Sequence, residues 1–193
     1  MFSATLPLLL VMALGIGPTF VHAAVPDLGE PAVAVHRDGD TYAVEAELVV
    51  TATPEEVWGV LTDYDHMAQF VANVVASRIL GRDGEKLEVE QTSRLAVGPF
   101  YLSFNNVRAV ELVPHREIRT QVTSGDMKGS EFTTRIVAEG SATRISNQGT
   151  FLSNRWIPPL IGTALLEAET RKQFREFRTE ILRRKSEATA KDR

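Results

Sequence analysis

VEAELVVTATPEEVWGVLTDYDHMAQFVANVVASRIL, residues 44–80, joins an alternating strand to a short amphipathic helix and then to a second strand. Val44, Ala46, Leu48 and Val50 fall on one side of the first segment and Glu45 and Glu47 on the other, the period-two pattern of a sheet with one dry face. Thr53 is placed to cap the following helix. Pro54 suits its first position, where a missing N–H costs nothing, and Glu55 and Glu56 sit near the positive end of the helix dipole. Val57, Trp58, Val60 and Leu61 give this helix, expected over 54–62, an apolar face, so Trp58 is expected in the core or in a pocket wall. A second helical turn is expected from Asp65 to Val71. This order of elements suggests a container rather than a catalyst.

Upstream, residues 32–36 and 41–50 read as strands around Arg37-Asp38-Gly39-Asp40, whose Asp-Gly step suits a tight hairpin. Downstream, strands are expected near 74–82, 86–96, 100–113, 116–123, 128–139 and 142–152. The breaks between them, such as Gly98-Pro99, Pro114-His115 and Gly125-Asp126, carry turn chemistry. Breaks this short require antiparallel neighbours, because a parallel crossover needs about a dozen residues or more. The expected sheet is one curved antiparallel meander. Beyond Ile157-Pro158-Pro159 the period changes, and a proline-free stretch from Leu160 to about Lys185 spaces Ile161, Ala164, Leu165, Ala168, Phe174, Phe177 and Ile181 for one face of a long helix. Its other face is charged and reads as solvated, although its basic end also admits a transient contact with a membrane surface.

The first 23 residues carry no charged side chain, hold an apolar run from Leu8 to Ile16, and end Val21-His22-Ala23, the pattern of a cleaved secretory signal. The run falls short of the ~20 residues a membrane-spanning helix needs. An exported, periplasmic protein cleaved near Ala23 is therefore expected, leaving about 170 of the 193 residues, within the usual range of one domain. Residues 32–185 form that domain in this reading, and 186–193 a polar tail. Acidic residues number 25 and basic residues 21, so a net charge of −4 excludes the dense basic surface that nucleic-acid binding requires. The absence of cysteine removes disulfides, thiolate nucleophiles and cysteine metal sites together.

Thr53-Pro54-Glu55-Glu56-Val57-Trp58, Val60-Leu61-Thr62-Asp63-Tyr64, Ala68-x-Phe70-Val71-x-Asn73-Val74 and Thr143-Arg144-Ile145 together resemble the START-like (SRPBCC) superfamily, and within it the polyketide cyclase/dehydrase and coenzyme Q-binding proteins. The resemblance runs from about Val33 to Arg184. It implies an α+β helix-grip fold, a curved antiparallel sheet wrapped around a long C-terminal helix, holding a hydrophobic small molecule such as a lipid, quinone or isoprenoid. Two departures stand out. Thr134 lies about where the family commonly places a Trp, and Phe70-Val71-Ala72-Asn73 replaces the usual Phe-Val-Pro-Asn.

Carrying the phase of Val44 to Val50 around the sheet puts Gln91, Ser93, Thr134, Asn147 and Gly149 on the dry face with Phe132 and Phe151. A face that mixes rings with small polar groups fits a pocket better than a tightly packed core, although small residues can also make room for Trp58 or Phe174. The candidate ligand-binding residues are Phe70, Gln91, Ser93, Phe132, Thr134, Asn147, Phe151, Trp156, Leu160, Ala164 and Leu165. Of these, Trp156, Leu160 and Ala164 are expected at the cavity mouth, with Phe174 and Phe177 deeper.

No catalytic residue, metal site or cofactor is expected. His36, His66 and His115 fall in separate loops without metal-ligand spacing, and no Gly-x-Ser-x-Gly elbow is present. Gly125-Asp126-Met127-Lys128-Gly129-Ser130 joins strand to strand, so it reads as a hairpin and not a phosphate loop. Asp63 and Asp65 read as turn-fixing groups. The expected function is non-enzymatic binding of an apolar small molecule. An aromatase/cyclase-like enzyme and a ligand-free interaction module stand as alternatives.

Overall fold

The computed structural model describes residues 29–152 and 162–191. The described residues open with a hairpin of β1 (Ala32–Asp38) and β2 (Thr41–Val50), followed by helix α1 (Pro54–Leu61), a 3₁₀ turn at Tyr64–His66 and the short helix α2 (Met67–Phe70). Six strands follow: β3 (Val74–Asp83), β4 (Lys86–Val97), β5 (Phe100–Val113), β6 (Glu117–Gly125), β7 (Glu131–Glu139) and β8 (Ala142–Leu152). The next described element is α3 (Gly162–Lys191). This is a helix-grip fold, one antiparallel sheet with a long C-terminal helix.

Among the described residues, all eight strands form one antiparallel sheet in the order β1-β2-β8-β7-β6-β5-β4-β3. The meander expected from the short breaks holds for β3 to β8. The opening hairpin, however, joins the far side of that meander by pairing β2 with β8. Helices α1 and α2 make the connection possible, because they carry the chain from β2 across the concave face to β3 at the opposite edge. Local turn chemistry contains no information about that pairing.

Helix α1 starts with a reciprocal cap. The Glu56 N–H donates to Thr53 Oγ1 at 3.3 Å, and the Thr53 N–H donates to Glu56 Oε2 at 2.8 Å. Its buried face is Val57, Val60 and Leu61. Trp58, expected in the core or a pocket wall, is only half-buried and stands against the exposed His115, with ring centroids 5.5 Å apart. One helical step of about 100° from Val57 is enough to turn the indole from the core to its rim.

Helix α3 runs for 30 residues, about 45 Å, and buries Leu166, Phe174, Phe177 and Ile181 against β1, β2, α1 and α2. It continues six residues past Lys185, so most of the expected polar tail is helical: Ser186 to Lys191 contains no Gly or Pro, and the Ser186 hydroxyl donates to the Arg183 carbonyl at 2.7 Å. Side-chain links fasten its second half to the start of the domain. Lys185 Nζ donates to the Thr51 carbonyl at 2.7 Å, Arg184 Nη2 to Asp63 Oδ2 at 2.8 Å, and the Ala72 N–H to Glu176 Oε2 at 3.0 Å. Among the described residues no helix is long and apolar enough to cross a membrane.

The core divides into two groups. Leu48, Val57, Val60, Val89, Val110, Ile145, Phe177 and Ile181 belong to the larger one, beneath α1 and the second half of α3. Tyr42, Val44, Leu95, Phe104, Phe151 and Leu166 form the smaller one, beneath the first half of α3. Their separation leaves the space in which the candidate site lies.

Candidate functional site

A cavity of ≈ 250 Å³ lies between the sheet and α3, with walls drawn from both core groups. The sheet contributes Val44, Phe104, Ile118, Phe132, Ile145 and Phe151; the connecting helices contribute Leu61, Tyr64 and Met67; and α3 contributes Leu166, Phe174 and Phe177. Interspersed polar and charged groups are Asn73, Gln91, Ser93, Arg94, Arg108, Thr134, Asn147, Glu169, Thr170 and Gln173. The space exists because small or weakly polar side chains occupy inward positions that large rings would otherwise fill. At Thr134, about where the resembled family commonly carries a Trp, the hydroxyl accepts from Asn147 Nδ2 at 2.8 Å, which ties the two side chains together across β7 and β8.

Of the candidate residues, the structure brings together Gln91, Ser93, Phe132, Thr134, Asn147 and Phe151 in this lining. Phe70 lies outside it. Its ring is 6.4 Å from Phe177 and lies under the Arg184 guanidinium, 5.3 Å from the ring centroid, so it supports the helix from behind. Ala164 is a correction: it is exposed and does not border the cavity, and Leu165 packs on the smaller core group without reaching the lining. Leu166, Thr170, Gln173, Phe174 and Phe177 set the inward stripe of α3, and Ala164 stands about 200° from Leu166 around the helix. The expected phase followed the alanines, which are apolar but contribute little when buried. Trp156 and Leu160 lie outside the described residues.

Sequence reasoning missed Tyr64, Asn73 and Arg108. Tyr64 and Asn73 sit in connections without a period to read, whereas Arg108 had a signal. On β5, Phe104, Asn106, Val110 and Leu112 are all buried, so alternation turns Arg108 to the same inner face. A β-bulge in β6 lies directly opposite, because Val107 pairs with Ser124 and Arg108 with Val122, leaving Thr123 as the extra residue.

The electrostatics of the lining are simple. Burial pushes the Tyr64 phenol up to about 12 against the opposing Arg108 charge, so it stays neutral at physiological pH. Burial also pulls Arg108 below the usual arginine value, again opposed by Tyr64, yet a guanidinium remains a cation. Asn73 Oδ1 is buried without a hydrogen-bond partner among the described residues. His36, His66 and His115 are exposed and border no part of the cavity. Among the described residues no group of three or more His, Cys, Asp and Glu side chains could hold a metal ion.

A family model described as polyketide cyclase/dehydrase and lipid transport matches residues 41–187. A search of curated proteins returned no match. Several solved structures share the fold. A START superfamily protein from Mycobacterium smegmatis superposes with a TM-score of 0.63 at 15% identity, covering 73% of this chain and 97% of its own. A STAR-related lipid transfer protein from Xanthomonas axonopodis gives 0.62 at 11% identity, covering 77% and 98%. The Zhui aromatase/cyclase from Streptomyces gives 0.59 at 17% identity, covering 79% and 96%. Identities this low speak to architecture alone.

Proposed function

Since the chain belongs to the polyketide cyclase/dehydrase and lipid transport family, we propose that it is a non-catalytic carrier that sequesters an apolar small molecule, such as a lipid, quinone or isoprenoid, outside the cytoplasm. The observation that carries this reading is the cavity between sheet and α3, where Phe104, Phe132, Phe151, Phe174 and Phe177 share the lining with polar groups. Such a lining binds through its area: burial of a ligand's apolar body contributes roughly 25 cal/mol per Å², and the polar groups fix its orientation. General acid–base chemistry needs a group that exchanges protons near neutral pH. The Tyr64 phenol, held at about 12, is a hydrogen-bonding group and a poor base.

Protein purified from its own host and examined by native mass spectrometry with lipid extraction is expected to carry one apolar molecule per chain. A bare chain that also fails to take up an apolar fluorescent probe would overturn the carrier reading. Export rests on the uncharged, apolar leader and its Val21-His22-Ala23 end. Amino-terminal sequencing of protein recovered from the extracytoplasmic fraction is expected to begin at Ala24 or Val25, and recovery of Met1 would reject cleavage.

A further inference from the structure

We infer that the cavity is built for an amphiphile with a single anionic head, a carboxylate on an apolar tail, and that the guanidinium of Arg108 receives that head. The inference rests on the carrier reading and adds the ligand's charge to it. Arg108 belongs to the inner face of β5 and lines the cavity, yet no carboxylate lies within ion-pair distance of it among the described residues. Its hydrogen bonds there go to one neutral group. Nε and Nη2 both donate to Asn106 Oδ1, at 3.2 and 2.8 Å. Asn106 is itself buried, so the guanidinium is held by a fixed amide and not by a mobile surface chain. A guanidinium has five N–H donors, and those that do not engage Asn106 are available to a ligand.

Arg108 is half-buried in the cavity wall, and with only an amide for company it keeps a desolvation cost that a bound anion would relieve. The surface shows the contrast. Arg144 is paired with Glu47 and Glu139, Arg135 with Glu117, and Arg175 with Glu30, all where water would have solvated them anyway. The other charged groups bordering the cavity do not neutralise Arg108. Arg94 is exposed, with its guanidinium 5.1 Å from the centroid of the Tyr101 ring, and Glu169 on half-buried α3 surface makes no ion pair with Arg108. Arg108 sets one unpaired positive charge on the inner face of the sheet, among the rings, and this matches one negative charge on the ligand. A doubly charged phosphate monoester would bring a second charge with no buried partner. Carboxylate geometry also suits the two-pronged guanidinium.

The test compares a long-chain fatty carboxylate with its methyl ester of equal chain length, by isothermal titration and by displacement of an apolar fluorophore. Wild type is expected to bind the carboxylate at least roughly tenfold more tightly than the ester, and Arg108→Gln to lose that preference while keeping ester affinity. Equal affinity of wild type for acid and ester would overturn the proposal and leave the carrier reading standing, and this comparison requires no variant to fold. An equal loss of both ligands in a folded Arg108→Gln protein would also overturn it, since it would mean that the side chain shapes the cavity and does not receive charge. If wild type bound neither ligand, the proposal would fall, and the carrier reading would fall with it only if the apolar fluorophore also failed to bind.

Discussion

Gly125→Ala is expected to cost about 3–5 kcal/mol of stability, a loss at the upper end for one methyl group. Two effects combine at this position. The backbone has φ +92, where L side chains are strained. A Cβ there would also overlap the Asn105 carbonyl oxygen and lie 2.8 Å from Asn106 Cα, both main-chain atoms that cannot rotate away. Moving them would break the reciprocal link in which the Asp126 N–H donates to the Asn105 carbonyl and the Asn105 N–H donates to Asp126 Oδ2, each at 2.9 Å. Gly140→Ala is the control. Its φ of +61 is also left-handed, but nothing lies within 4 Å of the new methyl, so about 1 kcal/mol is expected. Equal shifts of the two denaturation midpoints would show that backbone angle alone decides the cost and that the close approach of β5 and β6 is not rigid. The approach matters to the site because Gly125 pairs with Asn106, the residue that holds Arg108.

How much of this was legible in the sequence depends on the range of the signal. Strand alternation and turn residues act over a few positions, and they place β1 to β8 within a few residues of where they fold. The inward set that includes Gln91, Thr134, Asn147 and Phe151 follows from the same period. The pairing of β2 with β8 is set by α1 and α2 packing across the sheet, a long-range energy with no local pattern. On α3 the error has a different origin. Helical phase was read from apolar character, but Ala164 and Ala168 are weak markers, and Thr170 and Gln173 turn inward because they border a cavity and not a packed core.

The candidate site was legible in its walls more than in its chemistry. Rings and small polar residues at period two announce a lined space. The charged member of the lining did not stand out, because an arginine in a strand usually marks the wet face. Only the phase of its neighbours exposes Arg108, with Phe104, Asn106, Val110 and Leu112 all buried on the same side. A charge that violates the pattern of its own strand is a sign of function, since folding alone would favour an apolar residue there.

Glu180→Gln is expected to lower stability by about 2 kcal/mol at pH 7, and this difference is expected to vanish in acid. Glu180 is buried on α3, with 7% of its surface exposed. Hydrogen bonds from Arg183 are the largest influence on its carboxyl; burial opposes them, and Arg184 adds to them, with Glu180 Oε1 2.7 Å from both Arg183 Nη2 and Arg184 Nε. Together they hold its pKa at about 2, against an ordinary value of 4.5. Because the folded value is the lower one, the ionised carboxylate contributes its full stabilisation above pH 4.5, and the contribution fades as pH falls towards 2. The full shift corresponds to roughly 3 kcal/mol, and water around the exposed Arg183 screens part of it. Arg184 also reaches Asp63 Oδ2 at 2.8 Å and the Gly59 carbonyl at 3.2 Å, so the same carboxylate orients the arginine that fastens α3 to α1. Urea denaturation of both proteins at pH 7, 5, 4 and 3 isolates Glu180, because the other carboxylates titrate alike in each. A difference that persists unchanged at pH 3, or that is absent at pH 7, would show that the charge of Glu180 does not hold the helix in place.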